Sequence, residues 1–175
     1  LSDGKFVHEL ENKISKYVNS KFAISVTNAT NAVQLAFLAM GLKRGDEIIV
    51  PGYGYLAAAN LALQMGLVPV FADVDQDTYC VTAENIKKNI TRKTKLIVVI
   101  HTYGNVCDLD PIIKLAKSKE IPVLEDAAES LGSRYKNKQS GGIADIGTFS
   151  FQATKGITTG EGGMIVTKKN KKFTE

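Results

Sequence analysis

Cysteine and histidine are scarce in this chain: two of each among 175 residues. Cys80 and Cys107 are too few for a disulfide framework, and their spacing is not that of a metal site. They read as reduced thiols of a cytoplasmic protein. His8 and His101 stand far apart in the sequence, so no metal is expected. Long apolar runs are missing as well. Leu96-Ile-Val-Val-Ile100 has the length of a buried strand and falls well short of a membrane span. No signal peptide is recognisable. Basic residues are not interleaved with aromatics. The net charge of +4 owes much to Lys114, Lys117 and Lys119 on one predicted helix, and to Lys168, Lys169, Lys171 and Lys172 near the end. Solvated faces account for both groups, so neither nucleic acid nor membrane is an expected partner.

What is present is alternation. Helical spacing covers Lys5 to Tyr17, with apolar Phe6, Leu10, Ile14 and Tyr17. A strand follows over Phe22 to Val26. Asn28-Ala-Thr30 supplies an N-cap signal before the strong helix former Ala32 to Met40. Strands are then predicted at Glu47–Val50, Val68–Val74, Lys95–Tyr103 and Ile121–Leu124. Helices are predicted at Tyr55–Met65, Thr82–Ile90 and Leu109–Lys119. The last two strands are Gly147–Phe151 and Gly163–Thr167. About ten residues join them, too few for a helical crossover, so this pair should be antiparallel. The remaining strands are continuously apolar, which predicts an α/β fold with a mostly parallel central sheet flanked by helices. One domain over residues 1–175 is expected. The chain begins at Leu1 and ends in a lysine-rich segment, and it reads as a piece of a longer protein.

Ligands of such sheets bind beyond the carboxyl ends of the strands. The residues with chemistry fall there. Lys155 lies in a segment rich in glycine and hydroxyls, between the last two strands. A lysine confined in such a place can serve as a Schiff-base amine; the plain alternative is a solvated loop lysine. Asp126 follows a buried strand. It is either a helix N-cap or the carboxylate that keeps a pyridoxal phosphate ring nitrogen protonated. Thr30 opens a helix whose free N–H groups and dipole suit a phosphate, and Ser150 can offer a second hydroxyl. By alternation Ser150 shares a face with Thr148 and Gln152, while Phe149 and Phe151 point to the core. Tyr55 can stack on a flat ring or pack as a core aromatic. His101 ends an apolar strand, either as a satisfied internal histidine or as a substrate contact. The Thr154-Lys155-Gly156 order does not match a phosphate-binding NTPase loop.

Asn28-Ala-Thr30, Gly45-Asp-Glu-Ile-Ile-Val-Pro51, Pro69-Val-Phe-Ala-Asp73, His101-Thr-Tyr-Gly104, Glu125-Asp-Ala-Ala-Glu129 and Phe149-Ser-Phe…Thr154-Lys155…Gly160-Glu-Gly-Gly163 together resemble the DegT/DnrJ/EryC1/StrS sugar aminotransferases. These are enzymes of the aspartate-aminotransferase fold that use pyridoxal 5'-phosphate. The resemblance runs from about Phe6 to Thr167 and covers the large cofactor-binding domain, with the small C-terminal domain absent. It implies that Lys155 carries the cofactor and shuttles the proton, and that Asp126 pairs with the ring nitrogen. Thr30, Asn31 and Ser150 would hold the phosphate, Tyr55 would stack on the ring, and Glu129 would sit near the ring hydroxyl or the substrate. Asn28-Ala-Thr departs from the commoner Ser-Gly-Thr, and Pro51-Gly-Tyr-Gly-Tyr55 from Pro-x-x-Thr-Phe.

The function so implied is amino transfer from an amino acid, L-glutamate, to a nucleotide-linked keto sugar. Surface polysaccharide or lipopolysaccharide synthesis is the implied context, and a homodimer the implied assembly. The rivals are a sugar dehydratase of the same family, amination of a nucleotide-free keto-octulosonate, another lyase of the fold, and a non-catalytic binding or regulatory domain. In the dehydratase branch histidine stands where this chain has Lys155.

Overall fold

A computed structural model describes residues 4–168; the lysines at 169, 171 and 172 lie outside them. Helix α1 (Lys5–Tyr17) leads into β1 (Phe22–Val26), α2 (Ala29–Ala39), β2 (Glu47–Pro51), α3 (Ala57–Gln64) and β3 (Val68–Ala72). Then come α4 (Ala83–Asn89), β4 (Thr94–Ile100), a 3-10 turn (Thr102–Gly104), α5 (Leu109–Ser118) and β5 (Val123–Asp126). A small ribbon, β6 (Arg134–Tyr135) and β7 (Lys138–Gln139), precedes β8 (Ile146–Ser150) and β9 (Gly163–Thr167).

Seven strands form one sheet in the order β1-β9-β8-β5-β4-β2-β3. The β2–β3, β2–β4, β4–β5 and β5–β8 pairs are parallel, while β9 runs antiparallel to both β1 and β8. The expected parallel sheet and its reversed last strand are therefore present. Strand alternation divides the core. Ile48, Val50, Leu96, Val98 and Leu124 face α2 and α3. Ile49, Ile97, Val99 and Val123 face the layer of α4 and α5. Phe149, Phe151, Met164 and Val166 pack with Ile14 and Val18 at the end of α1. Among the described residues no helix is long and apolar enough to cross a membrane.

Several boundaries differ from expectation, each for a local reason. Helix α2 starts at Ala29 rather than near Asn31, because the Asn28 side chain accepts the Asn31 N–H and caps it. Helix α3 starts at Ala57 rather than Tyr55, since Gly54 holds φ +128° in the preceding segment. Strand β4 ends at Ile100 rather than Tyr103, where the backbone turns left-handed at Tyr103 (φ 55°). Strand β5 begins after Pro122, which has no N–H for the ladder, and it runs on to Asp126. The β6–β7 ribbon was not foreseen. Its turn places both Lys136 and Asn137 at positive φ without a glycine to signal it.

Candidate active site

Strand ends β2, β4, β5 and β8, the start of β9 and the N-terminus of α2 meet at one edge of the sheet. A cavity of about 340 Å³ opens there, lined among others by Thr30, Tyr55, Asp126, Glu129, Ser150 and Lys155. The size is in the range of small-molecule sites.

Each wall has a local cause. The N-cap at Asn28 fixes the first turn of α2, leaving the Thr30 N–H in a turn that no carbonyl of the helix can reach. Asn28 bridges to Gly162 just ahead of β9, whose first residue must be glycine. A Cβ on Gly163 would lie 2.3 Å from the Asn28 carbonyl carbon. Tyr55 stands 74 % exposed at the cavity mouth. Ser150 ends β8, and alternation puts Gln152 on the same side. The Gln152 side-chain oxygen accepts from both the N–H and the hydroxyl of Thr154, and the Lys155 N–H donates to the Gln152 carbonyl. This turn delivers the Lys155 amine to within 3.6 Å of Glu129 Oε1, and both side chains remain partly accessible.

Asp126, 5 % exposed, closes β5. Its Oδ1 accepts the Ala128 N–H at 3.1 Å. Burial pushes its pKa above the ordinary carboxylate value, and the Ala128 bond and the Lys155 charge pull the other way. A carboxylate so placed suits a cationic N–H partner, which would offset the desolvation. Glu129 Oε2 accepts the Tyr103 N–H at 2.9 Å, tying the turn after β4 to the cavity.

Of the residues singled out in the sequence, Thr30, Tyr55, Asp126, Glu129, Ser150 and Lys155 converge here. Asn31 does not line the cavity: its N–H is taken by Asn28, and its side-chain amide donates to Thr27. Gln152 and Thr154 line the cavity without having been singled out for a role. For Gln152 the signal was in the alternation with Ser150. His101 is a fully buried, satisfied residue rather than a substrate contact. Its Nδ1 accepts the Cys107 N–H, so the proton resides on Nε2, which donates to Glu125 Oε2 at 3.0 Å. Cys80 and Cys107 are free and buried. The Cys107 thiol donates to the Ile100 carbonyl at 3.2 Å, and the neighbouring Cys80 thiol together with burial holds it far above the ordinary thiol range, which leaves it unsuited to be a nucleophile.

Comparison with known proteins gives the same picture. GDP-perosamine synthase of Escherichia coli O157:H7 is 45 % identical over 166 residues, which is 95 % of this chain and 46 % of that protein. The solved structure of an aminotransferase from Psychrobacter cryohalolentis superposes with a TM-score of 0.94 at 37 % identity, over 97 % of this chain and 43 % of the other. A GDP-4-keto-6-deoxy-D-mannose-3-dehydratase of E. coli, solved with bound hydrated PLP, gives a TM-score of 0.91 at 34 % identity, over 97 % of this chain and 45 % of that one. The chain thus spans about half the length of the curated relatives it matches. The family model for the DegT/DnrJ/EryC1/StrS aminotransferases matches residues 1–174, and with the fold and the strand-end cavity in agreement, the chain belongs to that family.

Proposed function

We propose that this chain forms the cofactor-binding part of a cytoplasmic aminotransferase that uses pyridoxal 5'-phosphate and moves an amino group from L-glutamate to a nucleotide-linked keto sugar. The observation that carries the reading is the convergence of Lys155, Asp126 and the open first turn of α2 on one cavity. The donor set fits the cofactor. Thr30, its backbone N–H and Ser150 would hold the phosphate. Asp126 would hold the ring nitrogen, and Tyr55 would cover a ring face. Bound there, the cofactor supplies an aldehyde that carries amines and a ring that stores the electron pair left when a proton leaves carbon.

The protein's own part is proton handling and shielding. Lys155 Nζ takes and returns the proton at the reacting carbon. Asp126, almost fully buried at the cavity floor, would keep the ring nitrogen protonated. Glu129 balances the positive charge of Lys155 and fixes where that amine rests. Similarity to GDP-perosamine synthase supports a GDP-linked keto sugar as acceptor. Lysine at position 155 favours amino transfer over the dehydratase reading, because an amine can both carry the cofactor and return the proton. A homodimer that shares its sites completes the proposal.

The test is borohydride reduction of the full-length protein followed by peptide mapping. The cofactor should be recovered on Lys155, and recovery on another lysine would overturn the assignment. Lys155→Arg should abolish transamination, since arginine stays protonated and cannot bond to the cofactor's carbonyl carbon.

A further inference from the structure

Three tyrosines from three different loops meet beside the cavity. Tyr53 follows β2, Tyr79 follows β3 and Tyr103 follows β4. The Tyr53 and Tyr79 ring centroids are 5.3 Å apart, those of Tyr53 and Tyr103 6.4 Å. The Tyr53 and Tyr103 hydroxyls share a hydrogen bond of 2.8 Å. All three rings face solvent, at 40 %, 46 % and 73 % exposure for Tyr53, Tyr79 and Tyr103. This is not the profile of a core cluster, whose rings would be covered.

The backbone makes the arrangement costly. Tyr79 has φ 56° and Tyr103 φ 55°, the left-handed region that bulky residues rarely occupy. Two aromatic residues held there, with their rings turned to a third, point to a selected surface rather than to chance. Its place is informative as well. The Tyr103 N–H is bonded to Glu129 Oε2, while Glu129 Oε1 lies 3.6 Å from Lys155 Nζ. One carboxylate group separates the amine from the backbone that carries the Tyr103 ring. The hydroxyl of the adjacent Thr102 is buried without a hydrogen-bond partner among the described residues.

We propose that Tyr53, Tyr79 and Tyr103 form a platform that holds the hexose ring of the acceptor and so sets which keto carbon reaches Lys155. The assignment rests on the reading of the site as one for a nucleotide-linked keto sugar. Chemistry favours the hexose over the nucleobase. The reacting carbon belongs to the sugar and must come close to Lys155, so the group lying one carboxylate away is the sugar ring. Tyrosine suits a pyranose, with an apolar ring for the C–H face and a hydroxyl for the sugar's own hydroxyls. Of the two linked phenols, one donates inward and the other keeps a free proton for the ligand.

The experiment is calorimetric titration of the full-length, cofactor-loaded protein with GDP-perosamine and, separately, with GDP. Tyr103→Gly is the informative variant, because glycine relieves the left-handed backbone while removing the ring. It should weaken GDP-perosamine about tenfold, the effect of losing one good aromatic contact, and leave GDP unchanged. Tyr79→Gly should act in the same direction, and neither variant should lower the thermal midpoint. Equal weakening of both ligands would place the nucleobase on the platform and overturn the hexose assignment. Unchanged binding of both, or loss of a dimer with binding intact, would overturn it as well. If the unmodified protein holds its cofactor yet binds neither ligand, the substrate class itself is wrong and the platform assignment falls with it.

Discussion

Asp126 is a carboxylate whose burial carries a cost in stability. Its carboxylate is 5 % exposed, its pKa is raised by burial, and one backbone amide is the only hydrogen-bond donor found for it among the described residues. A carboxyl group whose folded pKa is raised binds its proton more tightly in the folded state. Its contribution to stability is therefore fully present below the unfolded pKa and declines as pH rises through the folded one. At neutral pH the cofactor-free protein carries that penalty. Asp126→Asn keeps an oxygen for the Ala128 N–H and removes the charge. The variant should melt higher than the parent when both are freed of cofactor at pH 7, and the gap should close as pH falls below the carboxylate range. Turnover should drop by about a hundredfold or more, the scale of losing a preorganised electrostatic partner. A variant that melts lower at pH 7, or turns over normally, would show Asp126 to be an ordinary cap. The sequence made the position of this residue legible, a carboxylate at the end of an apolar strand, and left a helix cap and a ring-nitrogen partner both open. His101 was ambiguous as well: a histidine after an apolar strand fits both a core and a pocket. Only the partners at its two nitrogens, Cys107 N–H and Glu125, decide for the core.

Glu125 links elements that are distant in the chain. Its two oxygens accept from the backbone N–H groups of Gly141, Ile143 and Ala144, and from His101 Nε2. The carboxylate thereby ties the segment before β8 to the ends of β4 and β5, the latter closed by Asp126. Glu125→Gln would turn an amide N–H₂ toward donors and leave buried N–H groups unpaired. It should cost about 3 kcal/mol in denaturant unfolding. A loss below about 1 kcal/mol would mean that the segment is held by its backbone alone. No pattern in the sequence announces this clip, because three of its four donors are backbone groups, those of Gly141, Ile143 and Ala144. The elements it joins were far more legible. A continuous run such as Leu96–Ile100 is typical of a strand covered on both faces, and it is one. The short link between β8 and β9 dictated their antiparallel pairing. What escaped was local geometry that needs no special residue: the left-handed Tyr103 that ends β4 early, and the Lys136-Asn137 turn of the small ribbon.

Among the described residues one side of the site is open. A groove lined by Thr30, Tyr55, Leu56 and Gln64 runs beside the cavity and shares Thr30 and Tyr55 with it. Leu35 and Leu38 on α2, with Leu56 and Leu63 at α3, are exposed. Scattered exposed leucines need no explanation, but Leu56 lines this groove and the other three lie on the two helices that border it. Tyr55, offered as the cover of a cofactor ring, is itself largely bare. A second copy of the chain seated on the α2–α3 side would bury the leucines, press on Tyr55 and close the mouth to water. This is the physical case for the proposed homodimer, beyond family membership. Light scattering of the full-length protein should give twice the monomer mass at assay concentrations. Leu38→Glu combined with Leu63→Glu should shift the protein toward monomer, because two charges cannot be buried unpaired at an apolar interface. Turnover should fall with the dimer fraction, while circular dichroism stays that of a folded α/β chain. Dilution of the unmodified protein should trace the same relation between activity and mass. A fully active monomer would confine the site to one chain, and the open groove would then serve a ligand rather than a partner.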